Sequence, residues 1–306
     1  MALVHAGFIP LAPGQQPGFD HADVYHDAAG TVRLYIGHTG ANRIDVIDCT
    51  TNTHLRSLPD LPGVAGVLIN SEHDLLFSSD RACARVSVYR CSDETLLGRI
   101  AVGEHPNGLA YDPTRRRLFV FNLGQPPGEH CTVSVVDLDR FAVVATIPLP
   151  GRPRWAVYDA ATDGIYANIR QPAQIVVLDA QNLAIRRTLP VPVAGPHGLA
   201  IVGEHLFCAA DGAELVTLHR DTGAVLGTLA LPGEPDVVMY DAALTRLYIA
   251  IGMPGVVCVV DTARRELVET IPTEAGAHTI GWNAAGRTLY VFQPASSGVG
   301  VLVEAL

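Results

Sequence analysis

The stretch GEHPNGLAYDPTRRRLFVFN, from Gly103 to Asn122, decides how this chain folds. It places two short apolar runs on either side of a polar turn, with Pro and Gly ahead of the first run. Close copies begin at Gly151 (GRPRWAVYDAATDGIYANI) and at Gly233 (GEPDVVMYDAALTRLYIAI), and a weaker one begins at Ala275 (AGAHTIGWNAAGRTLYVF). A unit that recurs in this way predicts a repeat architecture built of β-strands.

The residues after this stretch complete a unit of four strands. In the third repeat we expect strands at GLAYD, RLFVFN, TVSVVDLD and VVATIPLP, with turn residues between them. Aligning the first strand of every unit places one residue per repeat at a common position, with a mean spacing of about 43 residues: His21, Ala65, Asn107, Arg154, His197, Asp236 and His278. This spacing is typical of propeller blades. The sequence therefore predicts an all-β fold, a seven-bladed β-propeller that forms one domain over residues 1–306.

The last repeat lacks its fourth strand, because the chain ends after the third, VGVLVEAL. The segment HAGFIPLAPG near the N-terminus matches the fourth strand of the third repeat, VVATIPLPGR, in its apolar pattern and its Pro-Gly end. We therefore expect the N-terminal strand to close the last blade, which removes the exposed sheet edges of an open ring.

The repeats RLFVFN…VSVVDLD…ATIPLPG and RLYIAI…VCVVDTA…ETIPTEAG resemble the YVTN-type repeats of bacterial seven-bladed propellers. The resemblance covers nearly the whole chain. The superfamily that it indicates contains lactonases, lyases, metal-dependent oxidative enzymes and interaction scaffolds. The resemblance therefore implies the fold and leaves the function among these classes open.

The composition narrows the classes of partner. The net charge is −10, and no run of Lys and Arg suggests a nucleic-acid surface. Six Cys form no CxxC pair, and we expect no signal peptide and no membrane span. These features predict a soluble cytoplasmic protein with a small-molecule partner and neither a nucleic acid nor a membrane; they do not indicate an oligomeric state.

The aligned position lies at the start of the first strand, where the seven blades meet around the channel mouth. It is polar in most repeats but differs from one to the next, which is more typical of a binding site than of a structural repeat. The loops after the second strands should reach the same face. The candidate catalytic residues are Arg154, Asp236, His38 and Arg170, and the candidate substrate-binding residues are Asn107, Asn122, Asp211 and Trp155.

Three of the aligned residues are histidines, His21, His197 and His278, and His105 lies two residues before the aligned position of the third repeat. Converging imidazoles suit Zn, Cu or Fe with an open position for substrate. Carotenoid-cleaving oxygenases hold a metal in this way, and the chain resembles them in that arrangement alone. The first hypothesis is therefore an enzyme that acts on a small organic molecule through a histidine-bound metal, with His105 as a possible fourth ligand.

Two alternatives use the same ring. In the first, Arg154 and Arg170 bind a carboxylate and a neighbouring His acts as acid or base without metal. This arrangement resembles, in broad terms, the lactone-forming and lactone-opening propellers and the streptogramin lyase. In the second, the protein is a scaffold that binds another protein across this face. The aromatic content of 6% and the polar ring make the scaffold the less favoured alternative.

Overall fold

Each repeat forms one four-stranded antiparallel sheet, because short β-rich runs alternate with turns that carry Asp, Gly or Pro. The computed structural model describes residues 2–305. Within them, seven such sheets surround a central channel, and the innermost strands of neighbouring sheets contact one another around a closed ring. The predicted seven-bladed propeller is therefore confirmed.

The strands are numbered in chain order, and blades 1 to 7 follow the order of the repeats. The closing strand is β1 (Leu3–Pro10). Blade 1 contains β2 (Ala22–His26), β3 (Val32–His38), β4 (Arg43–Asp48) and β5 (Thr53–Leu58). Blade 2 contains β6 (Val64–Asn70), β7 (Leu75–Asp80), β8 (Arg85–Arg90) and β9 (Leu96–Ala101). Blade 3 contains β10 (Pro106–Asp112), β11 (Arg117–Asn122), β12 (Thr132–Asp137) and β13 (Ala142–Pro148).

The second half of the ring repeats the pattern. Blade 4 contains β14 (Pro153–Asp159), β15 (Gly164–Ile169), β16 (Gln174–Asp179) and β17 (Ala184–Pro190). Blade 5 contains β18 (Pro196–Val202), β19 (His205–Ala210), β20 (Glu214–His219) and β21 (Val225–Ala230). Blade 6 contains β22 (Pro235–Asp241), β23 (Arg246–Ile251), β24 (Val256–Asp261) and β25 (Glu266–Pro272). Blade 7 contains β26 (Thr279–Asn283), β27 (Thr288–Gln293) and β28 (Gly298–Glu304), with β1 as its outer strand.

The N-terminal strand closes the ring as expected. It runs antiparallel to β28, with Leu3 opposite Glu304 and Pro10 opposite Gly298. The first and last described strands thus share one sheet, and their pairing completes blade 7.

The core lies between neighbouring blades. Between blades 3 and 4, for example, Phe119 and Phe121 form one buried cluster with Val176 and Leu178. Middle strands are covered on both faces and read as almost continuous apolar runs, whereas outer strands such as β13 are largely exposed. Stacking of sheet on sheet around the ring is therefore the main source of apolar burial.

In the described part of the chain, helix is confined to two three-residue 3₁₀ turns, Thr39–Ala41 and Arg81–Cys83. Among residues 2–305, no helix has the length and apolar character needed to cross a membrane. The second turn matters for the site, because it places Arg81 at the channel mouth.

Candidate functional site

A cavity of about 200 Å³ lies at the channel mouth, and we call it the ring cavity. Six of the seven aligned positions line it, and only Ala65 does not. The other residues that line the cavity are Asp20, Arg81, Leu123, Arg152 and Trp155. The structure thus gathers the expected ring into one small polar site.

Irregular pairing at the start of the inner strands positions the ring. In blade 3 the register between β10 and β11 shifts between Pro106 and Leu109, and blade 5 shows the same shift between Pro196 and Leu199. Such a break releases the intervening residue from the ladder and re-aims its side chain. Pro fits at the first position because a strand start loses no ladder bond when the N–H is missing.

Close contact between inner strands also fixes the ring, as blade 5 shows. A Cβ on Gly198 would lie 2.4 Å from the Asp236 carbonyl oxygen, so only glycine allows blade 6 to approach this closely. The buried Asn168 side chain donates to the carbonyl oxygens of His197 and Gly198, at 2.9 and 3.0 Å. The backbone of the ring is therefore tied from blade to blade.

A chain of charged side chains crosses from blade 5 to blade 7. His197 donates from Nδ1 to Oδ1 of Asp211 at 2.9 Å, and its Nε2 lies 3.0 Å from Oδ1 of Asp236. The second oxygen of Asp236 accepts from Nδ1 of His278 at 2.9 Å. Both ring nitrogens of His197 thus face carboxylates, an arrangement that requires the doubly protonated imidazolium.

The pKa values follow from these contacts. Burial alone would lower the pKa of His197, but the charges of Asp236 and Asp211 outweigh burial and raise it to about 9. The hydrogen bond from His278 to Asp236 likewise raises the pKa of His278. Burial opposes ionisation of Asp236, yet His197 and His278 hold its pKa well below the usual range. His197 and Asp236 are therefore charged at neutral pH, and His278 is protonated more readily than an ordinary histidine.

His21 behaves differently from the other two ring histidines. Burial is the dominant effect on it and lowers its pKa, so the neutral imidazole prevails at neutral pH. Its Nε2 lies 3.8 Å from Oδ1 of Asp20, beyond hydrogen-bond distance, and its ring meets the edge of Trp155 with centroids 4.5 Å apart. The site thus contains a neutral imidazole beside charged ones.

Two arginines at the cavity form no ion pair with any described residue. The Nε atoms of Arg152 and Arg154 are buried without a hydrogen bond, and no side chain among residues 2–305 forms an ion pair with either guanidinium. Burial and the nearby charge of Arg154 lower the pKa of Arg152. By contrast, Arg81 donates to Asp20 at 3.0 Å and to Asn107 at 2.6 Å. These two cations contribute to an excess of positive over negative side chains in the cavity lining of an otherwise acidic protein.

His38 and Asn122, which we expected at the channel mouth, do not line the ring cavity. His38 is 2% exposed and contacts Oδ2 of Asp45 through Nδ1 at 2.7 Å; Asn122 is fully buried and donates to Ser134 at 3.0 Å. Both lie at the end of a second strand, and both point into their own blade toward the third strand. Their contacts are those of side chains that hold strand ends together.

Three further candidates lie near the cavity without lining it. His105 has a positive φ of 51°, and its Nδ1 lies 3.0 Å from the Gly124 carbonyl oxygen. Arg170 and Asp211 pair with each other at 2.7 Å in an open groove of about 980 Å³ next to the ring cavity, which Arg152 also lines. Trp155 and Asn107 do line the ring cavity.

The predicted metal site does not fit these contacts well. Metal ligation needs a free nitrogen lone pair on each histidine, and the doubly protonated His197 has none. Residues 2–305 contain no group of three or more His, Cys, Asp or Glu side chains placed to hold a metal ion. The metal hypothesis remains an untested prediction, and no step below is routed through a metal.

Asp20, Arg81 and Arg152 were missed by the sequence reasoning. Arg81 follows β7 just as Arg170 follows β15, so an alignment of these loops would have found it. Arg152 stands two residues before the aligned position, and Asp20 stands directly before it. An alignment that keeps one residue per blade omits both of these neighbours.

No family model matches the chain, and no curated protein matches its sequence. Its fold is similar to that of a chain of Kuenenia stuttgartiensis hydrazine synthase, with a TM-score of 0.81 and 16% identity over 96% of this chain and 97% of that one. It is also similar to a chain of a mitotic checkpoint complex, with a TM-score of 0.82 and 12% identity over 99% of this chain and 92% of that one. At these identities the likeness shows the propeller fold alone.

Proposed function

We propose that the protein binds a small organic anion in the ring cavity and acts on it by metal-free acid–base chemistry. The observation that carries this proposal is the pair of unpaired guanidiniums, Arg152 and Arg154, at the edge of the cavity. Both arginines are half-buried with unbonded Nε atoms, and a carboxylate or phosphate would supply both a counter-charge and hydrogen bonds.

The charges around the cavity support an anion over a cation. Arg81, Arg152, Arg154 and the imidazolium of His197 outnumber the two carboxylates, Asp20 and Asp236. Both carboxylates are already engaged, Asp20 by Arg81 and Asp236 by His197. The groups left free to bind a ligand are therefore the two arginines.

The histidines provide an acid and a base in one site. Neutral His21 can accept a proton from water or from a carbon next to the bound carboxylate. His278 is charged more readily than an ordinary histidine, its Nδ1 is held by Asp236, and its side chain is 40% exposed, so it can return a proton to the leaving group. Lactone opening and elimination from an organic acid both need such a pair.

The experiment measures binding before turnover. Calorimetry with acetate, succinate, citrate, benzoate and inorganic phosphate should show at least one anion that binds the unmodified protein. Arg154→Gln should weaken that binding about tenfold, because one charge-assisted contact to a half-buried guanidinium is lost. Arg140→Gln is the matched control, since Arg140 is 74% exposed and far from the cavity lining. Anion binding that is the same in all three proteins would refute the proposal.

A second comparison separates an enzyme from a binding protein. His21→Gln should leave the anion affinity within about twofold, because the arginines hold the ligand, while turnover of a lactone or hydroxy acid found in a screen should fall ~10²-fold or more. Anion binding without turnover of any such compound would favour a non-catalytic receptor.

A further inference from the structure

A second cavity, of about 400 Å³, lies in the channel below the ring cavity, and we call it the lower cavity. It follows the inner strands of blades 1 to 4 from the ring toward the opposite face, where Asn70 and Pro113 line its far end. His21 and Trp155 line both cavities. The edge-to-face contact of these two rings therefore marks the junction between them.

The lining of the lower cavity is mainly aliphatic and aromatic. This differs from the ring cavity, where charged side chains dominate. Its central part is formed by Val67, Leu68, Ile69, Leu109, Val157 and Met239. Apolar surface of this kind gains free energy when an apolar ligand displaces water from it.

The few polar side chains of the lower cavity are already satisfied. The two oxygens of Asp23 accept from the backbone N–H groups of Val24 and Ile69, each at 2.8 Å. The Tyr111 hydroxyl is 2.8 Å from Nδ1 of His73. Burial raises the pKa of Asp23 to about 6, consistent with its low-polarity surroundings. A ligand in this cavity would thus meet mainly apolar surface, with Asp23 as a carboxylate whose oxygens are held by backbone N–H groups.

We propose that the lower cavity holds the apolar part of the anion whose charged group binds Arg152 and Arg154, so that the ligand is an organic acid with an aliphatic or aromatic body. This inference rests on the proposed function of the ring cavity. It also explains why the neutral base, His21, stands where the two cavities meet: the carbon next to the charged group would lie at that junction.

The test uses the fluorescence of Trp155 as its signal. The chain has two tryptophans, and Trp282→Phe leaves Trp155 as the only one. Trp282 lines neither cavity, and its buried Nε1 has no hydrogen-bond partner, so its replacement by Phe should be tolerated. Dissociation constants are then measured for butanoate, hexanoate and octanoate, and for the neutral 1-octanol.

We expect the carboxylates to bind about three- to fourfold more tightly for each added methylene, until the cavity is filled. Met239→Trp should remove this gain by obstructing the cavity and leave the affinity for butanoate unchanged; because this variant adds a second tryptophan, its affinities are measured by calorimetry. Met239→Leu, which nearly conserves the volume, is the matched control and should keep the gain. 1-Octanol should bind weakly. Met239→Trp should abolish this binding, and Arg154→Gln should leave it unchanged.

The results distinguish the two proposals. Arginine-dependent binding of butanoate with no gain for hexanoate or octanoate would overturn the inference and leave the anion site intact. Binding of 1-octanol without any arginine-dependent binding of a carboxylate would overturn the anion site and, with it, the assignment of this cavity to the body of an anion. A chain-length gain that persists in Met239→Trp would also overturn the inference.

Discussion

His197 and Asp236 form an ion pair across the boundary between blades 5 and 6, with Nε2 and Oδ1 3.0 Å apart. The pair sits in the lining of the ring cavity, and it extends to Asp211 on one side and to His278 on the other. The same contacts that hold two blades in register therefore set the protonation of the site.

The first prediction is that stability falls as the pH rises from about 6.5 to about 9. The pKa of His197 is near 9 in the folded protein and near 6.5 when unfolded, so the folded state binds an additional proton between these values. Its contribution is complete below pH 6.5 and is lost as the pH approaches 9. Urea unfolding at pH 6, 7.5 and 9 should show this decline.

His197→Gln should flatten the decline and lower the free energy of unfolding by about 2 kcal/mol at pH 6, since Asp211 and Asp236 each lose a charge-assisted contact. His5→Gln, at an exposed position on β1, should reproduce the pH dependence of the unmodified protein. A slope that survives in His197→Gln would show that another group is responsible.

The second prediction concerns the pH dependence of turnover. His21 must be neutral to act as a base, and its lowered pKa places the acidic limb of kcat/KM below pH 6.5. His278 must be charged to act as an acid, and its raised pKa places the alkaline limb above pH 6.5. We expect a bell-shaped profile whose acidic limb disappears in His21→Gln. If His21→Gln removed the alkaline limb instead, His21 would be the acid and His278 the base.

The third prediction addresses the metal hypothesis. If His197 remains an imidazolium, protein purified without tag or chelator should contain far less than one equivalent of Fe, Cu or Zn, and EDTA should leave anion binding unchanged. Elemental analysis checks this. A near-stoichiometric metal that is lost in His197→Ala and His278→Ala would instead support the hypothesis of a histidine-bound metal.

The fourth prediction concerns the close contact behind the ring. A methyl group on Gly198 would lie 2.4 Å from the Asp236 carbonyl oxygen and 2.6 Å from Cγ2 of Val238, so Gly198→Ala should lower the free energy of unfolding by about 1–3 kcal/mol. Gly227→Ala is the matched control, because no atom lies within 4 Å of its added methyl group. Equal stability of the two variants would contradict the close approach.

The fold could be predicted from the sequence because each blade repeats the same four apolar runs. The ring could also be predicted, since Asn107, Arg154 and His197 follow a repeated pattern of turn and strand. His38 and Asn122 show the limit of that reasoning. A residue at the end of a strand faces the channel or its own sheet according to a one-residue register, which the repeat pattern does not specify.

The protonation states and ion pairs of the site could not be predicted from the sequence. His21 and His197 occupy the same aligned position, yet burial dominates the pKa of the first, whereas two carboxylates outweigh burial for the second. The unpaired state of Arg152 and Arg154 likewise depends on which acidic groups the fold brings near them. Such properties arise from contacts between blades, and no single repeat contains them.

The pairing of β1 with β28 brings the two ends of the described chain together, and the Ala305 N–H donates to the Ala2 carbonyl oxygen at 2.9 Å. The backbone therefore traces an almost complete circle, in which the break falls inside blade 7. The protein should therefore tolerate circular permutation: a short linker could join the ends, and an exposed turn such as 221–222 could become the new break. The termini could then be placed in a blade other than blade 7 without loss of the fold.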